Sequence, residues 1–346
     1  MNEFPNKKIE RSDVQLQKSD FVSDQMVKWC PGCGNHAILA ATTSVFPKIG
    51  YRKENFMVVS GIGCSSRFPY YVNTYGFHGI HGRAHAIATG MKLANPSLSV
   101  WINSGDGDSM AIGGNHFIHI VRRNLDVNII LFNNQIYGLT KGQYSPTTPM
   151  GKITATSPYG TIESPFNPGE LVLGAQGTFF ARAVDNDVNL MSDIMFEAAK
   201  HDGTSVIEVL QNCVIFADKA HQAISARENK DEAQLRLKQG QPMIFGKDKD
   251  KGIILKGTKL EVVQIGKDGI TEDDILVHDA YTQDPGIHLM LAKMAPPYYP
   301  VAIGVIRSAV APTYDDLMCE QIEKQKEVSN IKCVDDLLNS GETWEV

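Results

Sequence analysis

The chain has 346 residues, 42% hydrophobic and 21% charged, with a net charge of -6 and a pI near 5.9. This length suffices for one large or two smaller α/β domains, and the composition excludes collagen-like, prion-like and repeat proteins. The acidic balance argues against nucleic-acid binding. No apolar run approaches the roughly 20 residues of a membrane span, and the polar N-terminus does not resemble a signal peptide. We therefore expect a cytoplasmic protein with mostly reduced cysteines.

The chain begins with a polar stretch and continues as alternating strands and helices. Residues 1–22 are mixed in charge, which predicts a solvated N-terminal arm. Four predicted strand segments end in glycine- or asparagine-rich loops, namely "NFMVVSGIGC" (55–64), "LSVWINSGDGD" (98–108), "VNIILFNNQIYG" (127–138) and "TSVIEVLQNC" (204–213). Strands that alternate with helices indicate βαβ units. The sequence therefore predicts an α/β fold in residues 23–216, with a mostly parallel sheet covered by helices on both faces.

Polar or sulfur-bearing residues follow each predicted strand. They are Cys64, the run Gly105-Asp106-Gly107, the pair Asn133-Asn134 and Cys213. Ligands of parallel α/β sheets gather outside the carboxyl ends of the strands, so we expect these residues to crowd one edge of the sheet. The sequence therefore predicts a ligand site at that edge.

The loop from Gly105 to Asp108 is typical of a phosphate and metal site. A strand that ends there and opens a helix directs backbone N–H groups at an anion. A carboxylate beside phosphate requires a bridging cation, and Mg²⁺ does this with few protein oxygens. Asn134 and the main-chain carbonyl of Ile136 are candidates for the second and third ligands. The alternative is two ordinary turns, but the spaced Asn pair favours the metal.

Three interpretations fit Cys30 and Cys33 in "WCPGC": a disulfide exchanger, a zinc site, or half of an iron–sulfur site. The first requires a strand before the motif, and "VSDQMVK" does not predict one. Cys64 and Cys213, which follow predicted strands, complete a quartet for either metal site. Spacing alone does not separate zinc from a [4Fe–4S] cluster.

The remaining segments carry weaker signals. Residues 217–346 are charged and are predicted to be an extension that wraps the core or a partner, with a hairpin or short strand in 260–279 and a helix in 315–328. His81 and His85 are four apart on a predicted helix. With no third ligand nearby, we expect a hydrogen-bonded structural role for His85 and a cofactor-side role for His81, rather than zinc binding.

Five motifs together resemble a known family. Gly-Asp-Gly-Asp followed by Asn-Asn resembles the thiamine diphosphate fingerprint of transketolases, pyruvate decarboxylases and 2-oxoacid oxidoreductases. The motif "NNQIYGLTKGQYSPTTP" narrows this resemblance. Together with "WCPGCGNHAIL", "GIGCSSRFPYYVNTYGFHGIHGRAHAIATG" and "LQNCVIF", it makes residues 22–216 resemble the β subunit of a 2-oxoacid:ferredoxin oxidoreductase.

The resemblance implies thiamine diphosphate, Mg²⁺ and a [4Fe–4S] cluster as cofactors. Asp106, Asn134 and the Ile136 carbonyl would hold Mg²⁺, and the cluster ligands would be Cys30, Cys33, Cys64 and Cys213. The residues expected around the thiamine cofactor are Ile62, Gly63, Cys64, Ser65, His81, Gly82, Arg83, Gly105, Asp106, Gly107, Asp108, Asn134, Ile136, Gly138, Leu139 and Thr140. Cys319 and Cys333 match no family position and are expected to be ordinary thiols.

The implied reaction is the oxidative decarboxylation of a 2-oxoacid with coenzyme A to acyl-CoA and CO₂, or its reverse. Electrons would pass singly through the cluster to ferredoxin, and an obligate α subunit would complete an α₂β₂ or similar assembly. Arg67 and Lys141 are candidates to pair with the distal carboxylate of 2-oxoglutarate, which gives succinyl-CoA. The alternative is that each is a solvated surface charge or contacts a phosphate of coenzyme A. Pyruvate and branched 2-oxoacids are alternative substrates. Arg122-Arg123 and the lysines of 247–251 are candidate ferredoxin contacts, with solvated charged faces as the alternative.

Two other kinds of protein compete with this interpretation. A non-oxidative thiamine enzyme needs Asp106 and Asn134 but no cysteine quartet, and it normally carries its pyrimidine-binding domain in the same chain. A zinc-stabilised subunit would bind a partner without catalysing a reaction. The metal content distinguishes that subunit from an oxidoreductase.

Overall fold

The computed structural model describes residues 9–344. Within this range the chain forms eleven β-strands and eleven α-helices. The strands are β1 Phe56–Ser60, β2 Tyr75–His78, β3 Ser99–Gly105, β4 Asn128–Asn133, β5 Phe179–Val184, β6 Ser205–Leu210, β7 Gln234–Arg236, β8 Ile244–Phe245, β9 Lys251–Lys256, β10 Lys259–Gln264 and β11 Val301–Ser308. The helices are α1 Asn35–Ile49, α2 Phe68–Tyr71, α3 Ala84–Ala94, α4 Gly114–Arg123, α5 Pro168–Gly174, α6 Val188–Lys200, α7 Gln222–Ser225, α8 Lys230–Ala233, α9 Gly286–Lys293, α10 Tyr314–Val328 and α11 Val334–Leu338. None of the helices in this range is long and apolar enough to cross a membrane.

Eight strands form one sheet in the order β2-β1-β3-β4-β6-β5-β11-β7. Neighbouring strands are parallel except β11, which runs antiparallel to β5. Strands β4, β5 and β6 are buried along their whole length, which explains their nearly continuous apolar sequences. The predicted fold class is confirmed, and all four predicted strands lie in this sheet as β1, β3, β4 and β6.

Helices cover both faces of this sheet because successive side chains of a strand point to opposite sides. On one face, Val100 and Ile102 of β3 belong to a core that includes residues of α3, α4 and α5. On the other face, Trp101 belongs to a core built with α1 and α6. The sheet is therefore the central layer, and its carboxyl edge is left open between the two helical layers.

The sheet continues beyond residue 216, where the sequence analysis placed a domain boundary. β11 pairs with β5 on one side and with β7 on the other, so two strands of the later segment extend the main sheet. The segment also forms a separate antiparallel sheet in the order β10-β9-β8. β10 confirms the strand predicted in 260–279, and α10 confirms the helix predicted in 315–328.

The predicted N-terminal arm is not wholly solvated. Residues 1–8 lie outside the described range, but a 3₁₀ turn at Lys18–Phe21 brings Phe21 into the core. The Phe21 ring meets Phe46 and Phe56 edge-on, with ring centroids 5.5 and 5.4 Å apart. This part of the arm is buried because the favourable free energy of burying the aromatic ring exceeds the unfavourable contribution of its polar neighbours.

Candidate active site

The carboxyl ends of β1, β3 and β4 surround a cavity of about 140 Å³, which we call the Asp106 cavity. It is lined by Asn35, Ile62, Gly63, Cys64, Ser65, His81, Gly105, Asp106, Gly107, Asp108, Phe132, Asn134, Ile136, Tyr137, Gly138, Leu139 and Thr140. These include all the predicted cofactor residues except Gly82 and Arg83. The structure thus brings together side chains from three separate strand-end loops, as their positions in the sequence predicted.

Asp108 accepts hydrogen bonds from several segments around the Asp106 cavity. Its Oδ1 accepts hydrogen bonds from the backbone N–H of Ile62 at 3.1 Å and of Gly82 at 2.7 Å, and from His81 Nδ1 at 2.6 Å. Its Oδ2 accepts a bond from the Ser104 hydroxyl at 2.6 Å. Asp108 is almost fully buried, so these bonds balance the desolvation of its carboxylate. Its role is to tie the loops after β1 and β2 to the end of β3.

Asp106 has a different environment. It is fully buried, and its Oδ2 accepts hydrogen bonds from the hydroxyls of Ser145 and Thr147, both at 2.5 Å. Burial raises the pKa of Asp106 to about 6, although these hydroxyls and backbone N–H groups act in the opposite direction. No cationic side chain within residues 9–344 pairs with this carboxylate. Buried carboxylates need compensation, so this site suits a bound cation.

The two asparagines after β4 have separate roles. Asn133 Nδ2 donates to Glu208 Oε1 at 2.7 Å, and the Thr147 hydroxyl lies 2.9 Å from Asn133 Oδ1, so Asn133 belongs to the buried network. Asn134 lines the Asp106 cavity, and its Oδ1 accepts the backbone N–H of Ile136 at 3.1 Å. The structure therefore places Asn134, rather than Asn133, in the cavity lining with Asp106.

Two glycines permit close approaches at this site. A Cβ at Gly107 would lie 2.3 Å from the Tyr137 ring, whose hydroxyl donates to the Gly107 carbonyl at 3.0 Å. Gly82 has a φ of +71°, and a Cβ there would lie 2.6 Å from the backbone nitrogen of Gly113. Larger residues would force these loops apart. Gly82 therefore supports the cavity from outside its lining.

Arg83 and the histidines differ from the expectations. The Arg83 Nη1 donates to the carbonyl of Ile112 at 3.2 Å and is not part of the cavity lining. α3 begins at Ala84, so His81 precedes the helix and does not share a helical face with His85. His85 is fully buried beside Phe117, and neither ring nitrogen has a hydrogen-bond partner within residues 9–344. Its predicted hydrogen-bonded role is wrong, and burial lowers its pKa to about 4.

A second cavity of about 340 Å³ adjoins the first, and we call it the thiol cavity. Cys30, Cys33, Cys64 and Cys213 all line it. Burial raises the pKa of Cys33 to about 11, and the other three cysteines lie close enough to raise it further. Burial likewise raises the pKa of Cys64. The structure thus gathers residues that are up to 183 positions apart in the chain into one thiol cluster.

Gly138 lies close to two of these sulfurs. A Cβ built on Gly138 would lie 3.5 Å from Cys213 Sγ and 3.7 Å from Cys64 Sγ. The Trp29 indole donates to the Cys64 carbonyl at 2.6 Å, and Gln211 Nε2 donates to Cys33 Sγ at 3.4 Å. Within residues 9–344, no three His, Cys, Asp or Glu side chains converge closely enough to hold a single metal ion.

The two cavities share a wall. Five residues line both of them: Asn35, Cys64, Asn134, Gly138 and Leu139. Arg67 and Lys141, the predicted substrate cations, line the thiol cavity and not the Asp106 cavity. Lys141 has a φ of +77° at the tip of a tight loop, where the N–H of Gly142 donates to the Tyr137 carbonyl at 2.8 Å. Such a conformation is uncommon for a residue with a Cβ.

The sequence analysis did not single out several residues that support the site. Ser145 and Thr147 hold Asp106, Tyr137 holds Gly107, and Gln211 contacts Cys33. Ser145 and Thr147 lie within the quoted stretch "YSPTTP", whose cluster of hydroxyls was the available signal. Nothing in the sequence indicated that they would reach back to the end of β3.

Comparisons with known proteins identify the family of this chain. Residues 61–209 match the family model described as "Thiamine pyrophosphate enzyme, C-terminal TPP binding domain". The chain is 44% identical over 344 residues to the 2-oxoglutarate oxidoreductase subunit KorB of Mycobacterium tuberculosis, covering 99% of this chain and 91% of that protein. It is 47% identical over 190 residues to 2-oxoacid:ferredoxin oxidoreductase 1, subunit beta, of Aeropyrum pernix, covering 55% of this chain and 60% of that protein.

A solved structure matches over nearly the whole chain. It is the 2-oxoglutarate:ferredoxin oxidoreductase from Magnetococcus marinus with 2-oxoglutarate, coenzyme A and succinyl-CoA bound. The TM-score is 0.76 at 28% identity, with 98% of this chain and 99% of that chain covered. The similarity therefore extends well beyond residues 22–216, the span of the motifs. By its similarity along almost all of its length, the chain belongs to the oxidoreductase family of 2-oxoacid:ferredoxin oxidoreductase β subunits.

Proposed function

We propose that this chain is the cofactor-bearing β subunit of a 2-oxoglutarate:ferredoxin oxidoreductase and acts with a separate α subunit. The reaction converts 2-oxoglutarate and coenzyme A to succinyl-CoA and CO₂ and delivers electrons to ferredoxin, or runs in reverse. The observation that carries the proposal is the shared wall between the Asp106 cavity and the thiol cavity. Across this shared wall, the loop of residues 105–108, which is typical of a diphosphate site, lies beside the four cysteines.

The Asp106 cavity fits thiamine diphosphate with Mg²⁺. Asp106, Asn134 and the Ile136 carbonyl supply the oxygen ligands that Mg²⁺ prefers. When bound, thiamine diphosphate supplies the carbanion chemistry needed to cleave the bond beside a 2-oxo carbon. The chain's own contribution is positional, because Asp108 clamps the lining loops and Tyr137 holds the Gly107 carbonyl.

His81 is the candidate for holding a proton at this site. Its Nδ1–H donates a hydrogen bond to the carboxylate oxygen Oδ1 of Asp108 at 2.6 Å. In the neutral ring, Nε2 is then the acceptor nitrogen. Nε2 makes no hydrogen bond to any residue in the described part of the chain, and the side chain is 39% exposed. Asp108 thus orients the ring and leaves Nε2 free for a proton of the substrate or cofactor.

The thiol cavity fits a [4Fe–4S] cluster. Four thiols line a cavity of about 340 Å³, far more space than one zinc ion bound at roughly 2.3 Å from each sulfur needs. The Gln211 amide at Cys33 Sγ is the kind of hydrogen bond that tunes the reduction potential of a cluster. Such a cluster would accept and pass on single electrons beside the Asp106 cavity.

The preference for 2-oxoglutarate has two supports. Arg67 and Lys141 are exposed cations that line the thiol cavity near the shared wall, where a second substrate carboxylate can pair with them. The relative from M. tuberculosis and the structure from M. marinus are both named for 2-oxoglutarate. Pyruvate, which lacks that carboxylate, and branched 2-oxoacids are the competing substrates.

The need for an α subunit is supported by the exposed surface beside the site. β2 is an edge strand whose four residues are all exposed, including Tyr75 and Phe77. In the loop after β4, Tyr159 is fully exposed and Ile162 is 90% exposed. Large apolar side chains and an unpaired strand edge are typical of a surface that a partner protein covers.

Iron and acid-labile sulfide measured per chain, with a visible spectrum, test this proposal on protein purified without oxygen. We expect about four irons and four sulfides per chain, and a broad absorbance that dithionite bleaches. Bound zinc, or no metal and a disulfide between Cys30 and Cys33, would contradict the redox role.

A further inference from the structure

The four cysteines of the thiol cavity differ in their exposure to solvent. Cys30 is exposed, whereas Cys33, Cys64 and Cys213 are half-buried. The two residues that follow Cys30, Pro31 and Gly32, are also exposed. Among the four thiols, Cys30 is therefore the one through which a group bound in the cavity comes nearest to a protein in solution.

The lining of the thiol cavity is cationic. It includes Lys28, Arg67 and Lys141 and contains no Asp or Glu. This differs from the whole chain, which has a net charge of -6. Lys28 Nζ donates a hydrogen bond to Met26 Sδ at 3.4 Å, and it forms no ion pair within residues 9–344. The local charge therefore attracts an acidic surface although the chain as a whole is acidic.

A groove of mixed charge lies next to the thiol cavity. The groove has a volume of about 790 Å³ and shares Cys33 with the thiol cavity. Lys219 and Arg227 line it together with Glu228 and Asp185, and Asp185 is buried and accepts the backbone N–H of Asn212 at 2.7 Å. Lys219 is exposed and forms no ion pair within the described residues.

Apolar side chains lie between these cations. Met26 is 74% exposed, and Ile215, which lines the thiol cavity, is 59% exposed. An apolar centre with a charged rim is the usual anatomy of a protein-binding surface. We call the surface formed by Met26, Lys28, Cys30, Ile215 and Lys219 the Cys30 face.

The two cationic groups considered from the sequence lie elsewhere. Arg122 and Arg123 end α4, which starts after β3 and ends before β4, so they lie at the amino edge of the sheet, about 15 Å of helix away from the cavities. Lys247 and Lys249 lie between β8 and β9 of the separate sheet, and Lys251 begins β9 and lines a different cavity. Neither group borders the thiol cavity.

We propose that the electron acceptor, a small acidic iron–sulfur protein, docks on the Cys30 face, with Lys28 and Lys219 on its rim. This inference rests on the proposed function, because it requires a redox cluster in the thiol cavity. Charge complementarity selects an acidic carrier, and the exposure of Cys30 gives the shortest path from the buried thiols to a docked protein. Rim charges of this kind act mainly on the association rate and its salt dependence.

The test compares two double variants of the assembled enzyme. Lys28→Glu/Lys219→Glu reverses two charges on the Cys30 face, and Arg122→Glu/Lys247→Glu reverses two charges elsewhere. The Kd for a purified acidic ferredoxin is measured at low and high ionic strength, together with iron content and turnover with a small redox dye. We expect the first variant to raise the Kd at least about tenfold at low ionic strength, with a smaller difference in high salt, and the second to leave it unchanged.

Iron content and dye turnover separate a docking defect from a failed enzyme. Because Lys28 lines the thiol cavity and Lys219 does not, the single variant Lys219→Glu is the matched check. Its iron content and dye turnover should equal those of the unmodified enzyme while its Kd for ferredoxin rises. An unchanged Kd for ferredoxin would overturn the Cys30 face, and so would weaker binding in the Arg122→Glu/Lys247→Glu variant alone. If the first variant no longer co-purifies with the α subunit, that subunit covers the face and the docking proposal is wrong. An unmodified enzyme without iron would instead refute the proposed function itself.

Discussion

The Asp106 cavity and the thiol cavity lie side by side and share five lining residues, yet they offer opposite kinds of ligand. The first presents carboxylate, amide and carbonyl oxygens, which suit a hard cation such as Mg²⁺. The second presents four sulfurs among cationic side chains, which suit iron. The difference shows that one edge of a parallel sheet can present two kinds of potential ligand side chain a few residues apart. It also predicts that each site can be emptied without emptying the other.

Loss of a cysteine should produce the largest effect. Cys213→Ser removes one of four proposed cluster ligands, so iron and sulfide per chain should fall to a small fraction and ferredoxin reduction should cease. Thiamine diphosphate content should stay normal because Cys213 does not line the Asp106 cavity. Metal analysis and cofactor release on the purified complex measure both.

Cys319→Ser is the matched control, since Cys319 is half-buried on α10, away from both cavities. Its iron content should equal that of the unmodified protein. Equal iron losses in the two variants would show that the thiol cavity has no special role.

The reciprocal variant is Asp106→Ala. Removal of this buried carboxylate should abolish Mg²⁺-dependent binding of thiamine diphosphate, while iron per chain stays the same. Isothermal titration with thiamine diphosphate, with and without Mg²⁺, measures the change. Asp193→Ala, an exposed position on α6, serves as the control. Cofactor binding that survives in Asp106→Ala would refute the magnesium assignment.

Arg67→Ala should affect substrate choice and leave both cavities loaded. Loss of one charge-assisted hydrogen bond costs about 1.5–3 kcal/mol, which corresponds to a rise in KM for 2-oxoglutarate of roughly 10- to 100-fold. The KM for pyruvate should change little, because pyruvate has no second carboxylate. Steady-state kinetics with both substrates measure this ratio, and a parallel rise in both KM values would indicate a general structural role.

The smallest effect is expected from Thr147→Val. This nearly isosteric change removes one hydroxyl that donates to Asp106, so the affinity for thiamine diphosphate should fall about tenfold with iron unchanged. Thr43→Val is the control, since Thr43 is a buried threonine that bonds within α1. An unchanged affinity in Thr147→Val would mean that Ser145 alone holds Asp106.

Much of the fold followed from local patterns in the sequence. The apolar runs that became β1, β3, β4 and β6 end in the residues that line the two cavities, so strand alternation sufficed to predict their convergence. The same reasoning missed β11, whose pairing with β5 is antiparallel and joins residues far apart in the chain. Long-range pairing of that kind leaves no local signal.

The sequence by itself determined which oxygen- and sulfur-bearing side chains follow the strand ends, because residue type and position relative to a strand end are local properties. It predicted Asp106 and the four cysteines as candidate ligands. The tertiary structure decided the role of each neighbouring residue. Asp108 holds the loops together through hydrogen bonds, whereas Asp106 and Asn134 line one cavity. The Asn133 side chain belongs to a buried hydrogen-bond network. It also decided that Cys30 alone among the proposed cluster ligands is exposed. These outcomes depend on hydrogen bonds and burial between segments distant in sequence, which only the folded chain brings together.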